Sequence, residues 1–234
     1  MGPWCRSAAL LGLVLLGLSG PKAGATILTF DQGTVTDLLA VDQAYGDDVQ
    51  AVLEGSFGYG VGAEGFTPNV QVAYGAGSTL WTTGFGDLSN ALFILDSVGP
   101  GFIEITLAAD AGFFVQLFDF DVAAFTADFV SDPTIDAVRV TSGANTLFEQ
   151  LDTTISAATH TTFDFSAAPL TAQTLVIRVD GSNLGSLRDD IAIDDLRFGQ
   201  SVIPEPSTGA LLATGLWTLG AMSRKSPCER VQMS

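Results

Sequence analysis

Carboxylates are the most abundant groups in this chain that could do chemistry. Between residues 26 and 200 the sequence has 24 acidic residues, of which 20 are Asp, against four Arg and no Lys, a net charge of −20. Carboxylate oxygens are ligands that Ca²⁺ prefers, although a dense acidic surface also keeps a protein soluble without any ligand. The same charge argues against nucleic acid as a partner, because phosphate contacts require clustered Lys and Arg.

Aromatic side chains form a second group with binding potential. Tyr45, Tyr59, Tyr74 and Trp81 lie in a Gly-rich stretch that reads as loop, and loops bring side chains to solvent. Exposed rings stack on sugars, so these four residues are candidate glycan contacts. The alternative is that the rings cover the ends of the core, as large aromatics often do.

Signals for catalysis are weak in this sequence. His160 is the sole histidine, and no Gly-x-Ser-x-Gly motif accompanies it, so a nucleophile with its base is not indicated. The two cysteines, Cys5 and Cys228, lie outside residues 26–200, which removes disulfides, thiol catalysis and Cys-ligated metals from that segment. A paired-carboxylate glycosidase stays open because Asp is abundant. We therefore expect a non-catalytic protein, with a secreted carboxylate-based glycan hydrolase as the alternative.

The elements that would position these residues are β-strands throughout residues 26–200. Apolar and polar residues alternate with period 2, as Ile103, Ile105 and Leu107 do, and turn residues separate short runs at near-regular spacing. This pattern predicts a single all-β domain, a sandwich or a barrel, rather than βαβ units. The predicted strands are 26–30, 70–74, 102–107, 113–122, 135–140, 146–151, 161–165, 175–180 and 191–198. Most of residues 45–86 is predicted to be a long loop region.

The N-terminal residues 1–25 have the layout of a secretory signal peptide. Arg6 precedes an almost wholly apolar run from Ala8 to Leu18, and Ala23-Gly24-Ala25 fits an A-x-A cleavage site. The apolar run is shorter than the roughly 20 residues that span a bilayer. We expect export and a mature chain that begins at Thr26.

The C-terminal residues 201–225 contain a tripartite signal. Pro204, Glu205 and Pro206 precede a short apolar segment, Gly209 to Met222, and a basic stop at Arg224 and Lys225. The prolines block helix propagation upstream of the apolar segment, and the basic pair fits the positive-inside tendency. This tail resembles the PEP-CTERM sorting signal of bacterial exported proteins. The resemblance implies an exosortase as partner, a short transmembrane helix with at least transient inner-membrane anchoring, a cytoplasmic tail over 226–234, and delivery to the cell surface or extracellular matrix.

The segment from Leu184 to Gln200 carries a second resemblance. Its run Ile191-Ala192-Ile193-Asp194-Asp195-Leu196-Arg197-Phe198 is similar to the closing strand of many PEP-CTERM ectodomains and of galactose-binding-like jelly rolls. The resemblance implies a jelly-roll-like β-sandwich. It also implies one structural Ca²⁺ where the first and last strands meet, with Asp31, Asp47, Asp48 and Asp195 as the candidate ligands.

Strict alternation along this closing strand divides the two neighbouring acids between its faces. It places Asp195 on one face with Ile191 and Ile193, and Asp194 on the other with Leu196 and Phe198. Only one of the two acids would then point at a given metal site. Taken together, the sequence predicts an exported acidic β-protein that contacts extracellular polysaccharide or partner proteins.

Overall fold

The computed structural model describes residues 25–31, 35–50, 65–95 and 101–204. In these residues the chain is all-β, with thirteen strands and one short 3-10 helix, Ser182–Leu187. The predicted all-β class is confirmed. No helix in the described part of the chain has the length and apolar composition needed to cross a membrane. The predicted signal peptide up to residue 24, and the predicted sorting signal after Pro204, lie outside the described residues.

The strands follow one another along the chain with few long connections. They are β1 Thr26–Leu28, β2 Leu39–Ala40, β3 Val70–Tyr74, β4 Ser78–Trp81, β5 Ala91–Ile94, β6 Phe102–Ala109, β7 Phe113–Ala124, β8 Thr134–Ser142, β9 Asn145–Thr154, β10 Thr161–Asp164, β11 Leu170–Ala172, β12 Thr174–Asp180 and β13 Ile191–Val202. The last strand extends two residues beyond the predicted end of the domain at residue 200 and stops two residues before Pro204.

Two antiparallel sheets contain all of these strands. The larger sheet has the order β10-β7-β13-β5-β4-β2, with β1 beside β13 and β11 beside β7, and the smaller sheet has the order β3-β6-β12-β8-β9. The first and last strands of the domain are therefore neighbours, since Thr26 pairs with Phe198 and Leu28 with Leu196. This arrangement is consistent with the predicted sandwich.

One continuous apolar core includes residues from both sheets. On β6 the inward positions are Ile103, Ile105 and Leu107, which alternate with half-buried residues as predicted. Leu28, Phe120 and Phe198 from the larger sheet belong to the same core and are fully buried. Burial of a large apolar side chain stabilises the fold by about 1.5–3 kcal/mol, so this core dominates the stability of the domain.

Paired irregularities on β7 and β13 overturn the predicted alternation. The register shifts between Asp194 and Arg197 and again between Arg197 and Phe198, so each strand carries one extra residue. As a result Ile191, Ile193, Leu196 and Phe198 all belong to the core. The prediction that these residues divide between two faces is wrong, because a bulge moves the following residues to the opposite face.

The same correction applies to β7. Val115 and Leu117 face the core before its irregularity, and Phe120, Val122 and Ala124 face it afterwards. Because each strand has one extra residue, the two register shifts cancel, and both strands remain paired to their ends.

The predicted loop region before Gly86 also differs from the structure. Residues Ser78–Trp81 form β4, which pairs with both β2 and β5. A four-residue strand between glycines at 75, 77 and 84 is hard to recognise by periodicity, because its first three residues are all buried and do not alternate.

Candidate binding cleft

The outer face of the larger sheet has a row of small side chains. Phe93 on β5 pairs with Ala192 on β13, which pairs with Ala123 on β7. The two alanines are fully buried, and because their side chains are small they leave room above the sheet. A second apolar cluster fills this room, built from Phe85, Leu88, Ala91, Phe93, Ala123 and Ala192 with Trp81, Leu95 and Phe125 against it.

Four aromatic rings of this cluster contact one another. Trp81 meets Phe93 at 5.8 Å and Phe125 at 6.0 Å between ring centroids, both nearly edge to face. Phe85 lies 5.2 Å from Phe125 and 5.8 Å from Phe93. Aromatic contacts of this kind are favourable beyond the area they bury, so they stabilise the packing of the four rings against one another.

Glycines place Phe85 over the sheet. Gly84 and Gly86 have φ of 102° and 52°, a region that side chains with a Cβ rarely adopt. A Cβ on Gly86 would lie 1.8 Å from the carbonyl oxygen of Thr159. The backbone N–H of Thr126 donates to the carbonyl of Gly84 at 2.7 Å, which fixes this loop beside Phe125.

Three carboxylates form the rim of the cleft. The N–H of Phe125 donates to the carbonyl oxygen of Asp190 at 2.8 Å, and the N–H of Asp128 donates to the carbonyl of Phe125 at 3.2 Å. These backbone hydrogen bonds hold both acids beside the rings. Burial, and then the charges of Asp128 and Asp189, raise the pKa of Asp190 to about 6.

The rings and the acids enclose a half-open cavity of about 220 Å³. Its lining residues are Leu38, Trp81, Phe85, Phe93, Leu95, Phe125, Asp128, Asp189 and Asp190. The described lining thus offers an apolar floor and hydrogen-bond acceptors at the edge, and none of these nine residues is basic. Such a surface is suited to a small ligand that has an apolar face and donor groups.

The four predicted glycan contacts have different positions in the structure. Trp81 is half-buried and lines the cleft. Tyr45 and Tyr74 are 0% and 7% exposed, and the Tyr74 hydroxyl donates to the carbonyl oxygen of Tyr45 at 2.8 Å. The expectation that these two rings reach solvent is wrong, because both pack in the core with Phe30. Tyr59 lies outside the described residues.

The predicted calcium ligands separate into two places. Asp195 lies at the β13 irregularity with φ of 48° and is exposed as a residue. Its carboxyl group is nevertheless partly desolvated by its neighbours, and this desolvation, followed by the charges of Asp121 and, more weakly, Asp31, raises its pKa. Asp47 instead accepts a hydrogen bond from the N–H of Val72 at 2.6 Å, and Asp48 is bonded through its N–H to Val70. In the described ranges, no group of three or more His, Cys, Asp or Glu is arranged to hold a metal ion. Calcium binding stays a prediction.

Asp31 also has a partner within the protein, since its carboxylate accepts a hydrogen bond from the side-chain amide of Asn90. The neighbouring Asp194 is buried, and one of its oxygens accepts the N–H of Asp195 at 2.8 Å. Burial, and then the charge of Asp195, raise the pKa of Asp194 well above its usual range.

His160 lies at the surface between two carboxylates. Its Nδ1 is 2.9 Å from Asp87 Oδ1 and its Nε2 is 3.8 Å from Asp121 Oδ2. The hydrogen bond with Asp87 raises the pKa of His160. The histidine therefore lies between Asp87 and Asp121, and it forms ion pairs with these carboxylates when it is protonated.

Most of the cleft was not predicted from sequence. Of its lining residues only Trp81 was singled out, and Phe93, Phe125, Asp128, Asp189 and Asp190 were not. The signal that could have found them is the pair of alanines, Ala123 and Ala192, each within two residues of Phe125 or Asp190. Small residues inside otherwise large-residue strands often leave room for another group to pack.

Among the predicted sorting residues, only Pro204 lies in the described part of the chain. It is exposed and lies two residues after the end of β13. Glu205, Pro206, Arg224 and Lys225 lie outside it.

No protein-family model, no curated protein and no solved structure matches this chain.

Proposed function

We propose that this chain is an exported, non-catalytic protein of the cell surface or extracellular matrix that binds a glycan in the Trp81 cleft. The observation that carries the proposal is the cleft itself: a tryptophan and three phenylalanines beside three carboxylates on the open face of the larger sheet. Aromatic rings provide apolar contact with the face of a sugar, and carboxylates accept hydrogen bonds from its hydroxyls.

Export is supported by where the folded strands begin and end. β1 starts at Thr26, immediately after the predicted cleavage site, and β13 ends at Val202, two residues before Pro204. The described strands therefore lie between the two predicted signals. On this proposal an exosortase processes the chain through its PEP-CTERM tail after transient anchoring in the inner membrane.

The finer architecture belongs to the same proposal. We take the two sheets as a jelly-roll-like sandwich of the galactose-binding type, in which the closing strand β13 lies beside β1. The pairing of Thr26 with Phe198 is compatible with that arrangement.

Co-sedimentation with insoluble polysaccharides tests glycan binding. The purified chain should sediment with at least one polysaccharide of a panel, and Trp81→Leu should reduce the bound fraction about tenfold, since stacking on an aromatic ring is lost. Phe66→Leu is the matched control, because Phe66 is an exposed ring (39%) that does not line the cleft. An equal loss of polysaccharide binding in both variants, or no loss in either, would refute the assignment of glycan binding to the Trp81 cleft.

A glycan hydrolase is the second candidate, favoured by one observation. Asp190 has a pKa raised to about 6 by burial and by the charges of Asp128 and Asp189, and a raised carboxyl pKa next to an ionised carboxylate suits a general acid. New reducing ends released by the wild type but not by Asp190→Asn would establish this activity in place of the non-catalytic function.

A further inference from the structure

The polar part of the cleft lining is almost entirely anionic. Apart from the indole N–H of Trp81, its polar side chains are Asp128, Asp189 and Asp190. The nearest basic residue in sequence, Arg188, has its stem against Gly101, where an added Cβ would lie 3.0 Å from Arg188 Cδ. A ligand that enters the cleft therefore meets hydrogen-bond acceptors that carry negative charge.

A neutral ligand would displace the water that hydrates these carboxylates and would bring no positive charge in its place. Covering an ionised carboxylate with an uncharged group is costly, because the charge loses its hydration. A ligand with an ammonium group would instead form charge-assisted hydrogen bonds with the rim. The aromatic floor favours the same group, since a cation is attracted to the face of Trp, Tyr or Phe.

The size of the cleft limits how much of the ligand it holds. Pockets for drug-sized molecules measure about 300–1,000 Å³, and this cavity measures about 220 Å³. It therefore accommodates about one sugar ring with its substituents, while the rest of a longer chain lies outside.

We infer that the glycan bound in the cleft is cationic, and that the ring it inserts is an amino sugar with a free ammonium group. This inference rests on the proposed glycan-binding function and names the substrate class for the same site. The negative charge of the domain, −20 over residues 26–200, attracts such a polycation from a distance and accelerates its association.

Oligomers of glucosamine and of N-acetylglucosamine are the matched probes, because they differ only in whether the amine is free or acetylated. Trp81 is the sole tryptophan between residues 26 and 200, so its fluorescence reports on the cleft. The full-length chain with Trp4→Phe and Trp217→Phe, purified in mild detergent, gives a single-tryptophan reporter. A thermal melt of each variant shows that it is folded.

We expect the glucosamine oligomer to bind at least about tenfold more tightly than the acetylated one, in line with a desolvated charge interaction. Asp190→Asn should remove most of that preference while leaving the fold intact. Asp110→Asn is the control, because it makes the same substitution at an exposed residue between β6 and β7 that does not line the cleft.

Equal affinity for the two oligomers would overturn the ammonium assignment and leave glycan binding in place. Binding of neither oligomer would also overturn it, and the polysaccharide co-sedimentation with Trp81→Leu would then decide separately whether the cleft binds another glycan. A preference that persists unchanged in Asp190→Asn would overturn the role of the rim.

Discussion

Two buried aspartates in this domain have opposite surroundings. Asp180 is 6% exposed, and although burial alone would raise its pKa, hydrogen bonds from Ser182 and Arg178 lower it. Asp194 is 4% exposed, but the charges that act on it are those of Asp195, Asp31 and Asp121, all of the same sign. Asp194 is therefore a carboxylate whose ionisation opposes folding.

Asp194→Asn should stabilise the domain at pH 7 by about 1–2 kcal/mol. The pKa of Asp194 is raised in the folded state above the unfolded value of 3.8. Between these two pKa values the folded state binds more protons than the unfolded state, so stability falls as the pH rises from the lower value to the higher. Asn keeps an oxygen to accept the N–H of Asp195. Urea unfolding at pH 7 and pH 3 checks this, and the gain should be lost at pH 3, where the carboxyl is protonated in the unfolded state as well.

Asp194→Ala is the control for that experiment. It removes the charge and also the acceptor of the Asp195 N–H, so it should stabilise less than Asn or destabilise. A lower urea midpoint for Asp194→Asn than for the wild type at pH 7 would contradict the destabilising role of the ionised side chain.

At the scale of elements, the loop that carries Phe85 depends on Gly86. Gly86→Ala should destabilise the domain by about 3 kcal/mol or more and weaken ligand binding, because the new Cβ would lie 1.8 Å from the carbonyl oxygen of Thr159 at a φ of 52°. Gly143→Ala is the matched control: its φ is 57°, but nothing lies within 4 Å of the added Cβ.

The two variants separate backbone strain from steric clash. Gly143→Ala should cost about 1 kcal/mol, the usual effect of a side chain at positive φ, and leave the cleft unchanged. Chemical denaturation of both variants provides the comparison, and equal losses of stability would show that contact with Thr159 does not fix the Phe85 loop.

The irregularity in β13 makes a different prediction at Asp195, whose φ is 48°. Asp195→Gly and Asp195→Val both remove the charge, so they differ mainly in backbone preference. Val should be less stable than Gly by about 1–2 kcal/mol, because a β-branched residue is strained at positive φ. Urea midpoints that agree within error would mean that this conformation is not required.

The same irregularity shows how far the sequence could predict these elements. Alternation identified most of the long strands, including β6, β8 and β12, because one face of each is buried. Alternation could not predict the extra residues on β7 and β13. Ile191 and Ile193 have odd numbers whereas Leu196 and Phe198 have even ones, so no single alternating pattern places all four on the same face. The short strands β4 and β5 were missed because their burial is nearly continuous.

The cleft was harder to predict than the strands. Its residues come from four separate parts of the chain, near positions 38, 81–95, 125–128 and 189–190, and they meet only when β4, β5, β13 and β7 are aligned. Trp81 was recognised because a tryptophan in a Gly-rich stretch is conspicuous. Asp190 was not, because in a sequence with 20 Asp no single acid stands out.

At the scale of the whole molecule, the proposed export predicts specific processing. Mass spectrometry of the secreted protein should give Thr26 as its first residue. Replacing Pro204, Glu205 and Pro206 by Ala should leave an unprocessed chain in the membrane fraction, while Pro169→Ala, a proline within the domain, should not. Release of the triple variant at the wild-type level would contradict sorting through this tail.

Binding of an intact glycan at the Trp81 cleft is tested most directly on a glycan array. The purified wild type, Trp81→Leu and Phe66→Leu should be applied with calcium and with chelator. We expect the wild type and Phe66→Leu to bind the same glycans, Trp81→Leu to bind none of them, and every printed glycan to remain intact. If the wild type binds no glycan either with calcium or with chelator, or if it cleaves the glycans on the array, the protein is not a non-catalytic glycan-binding protein.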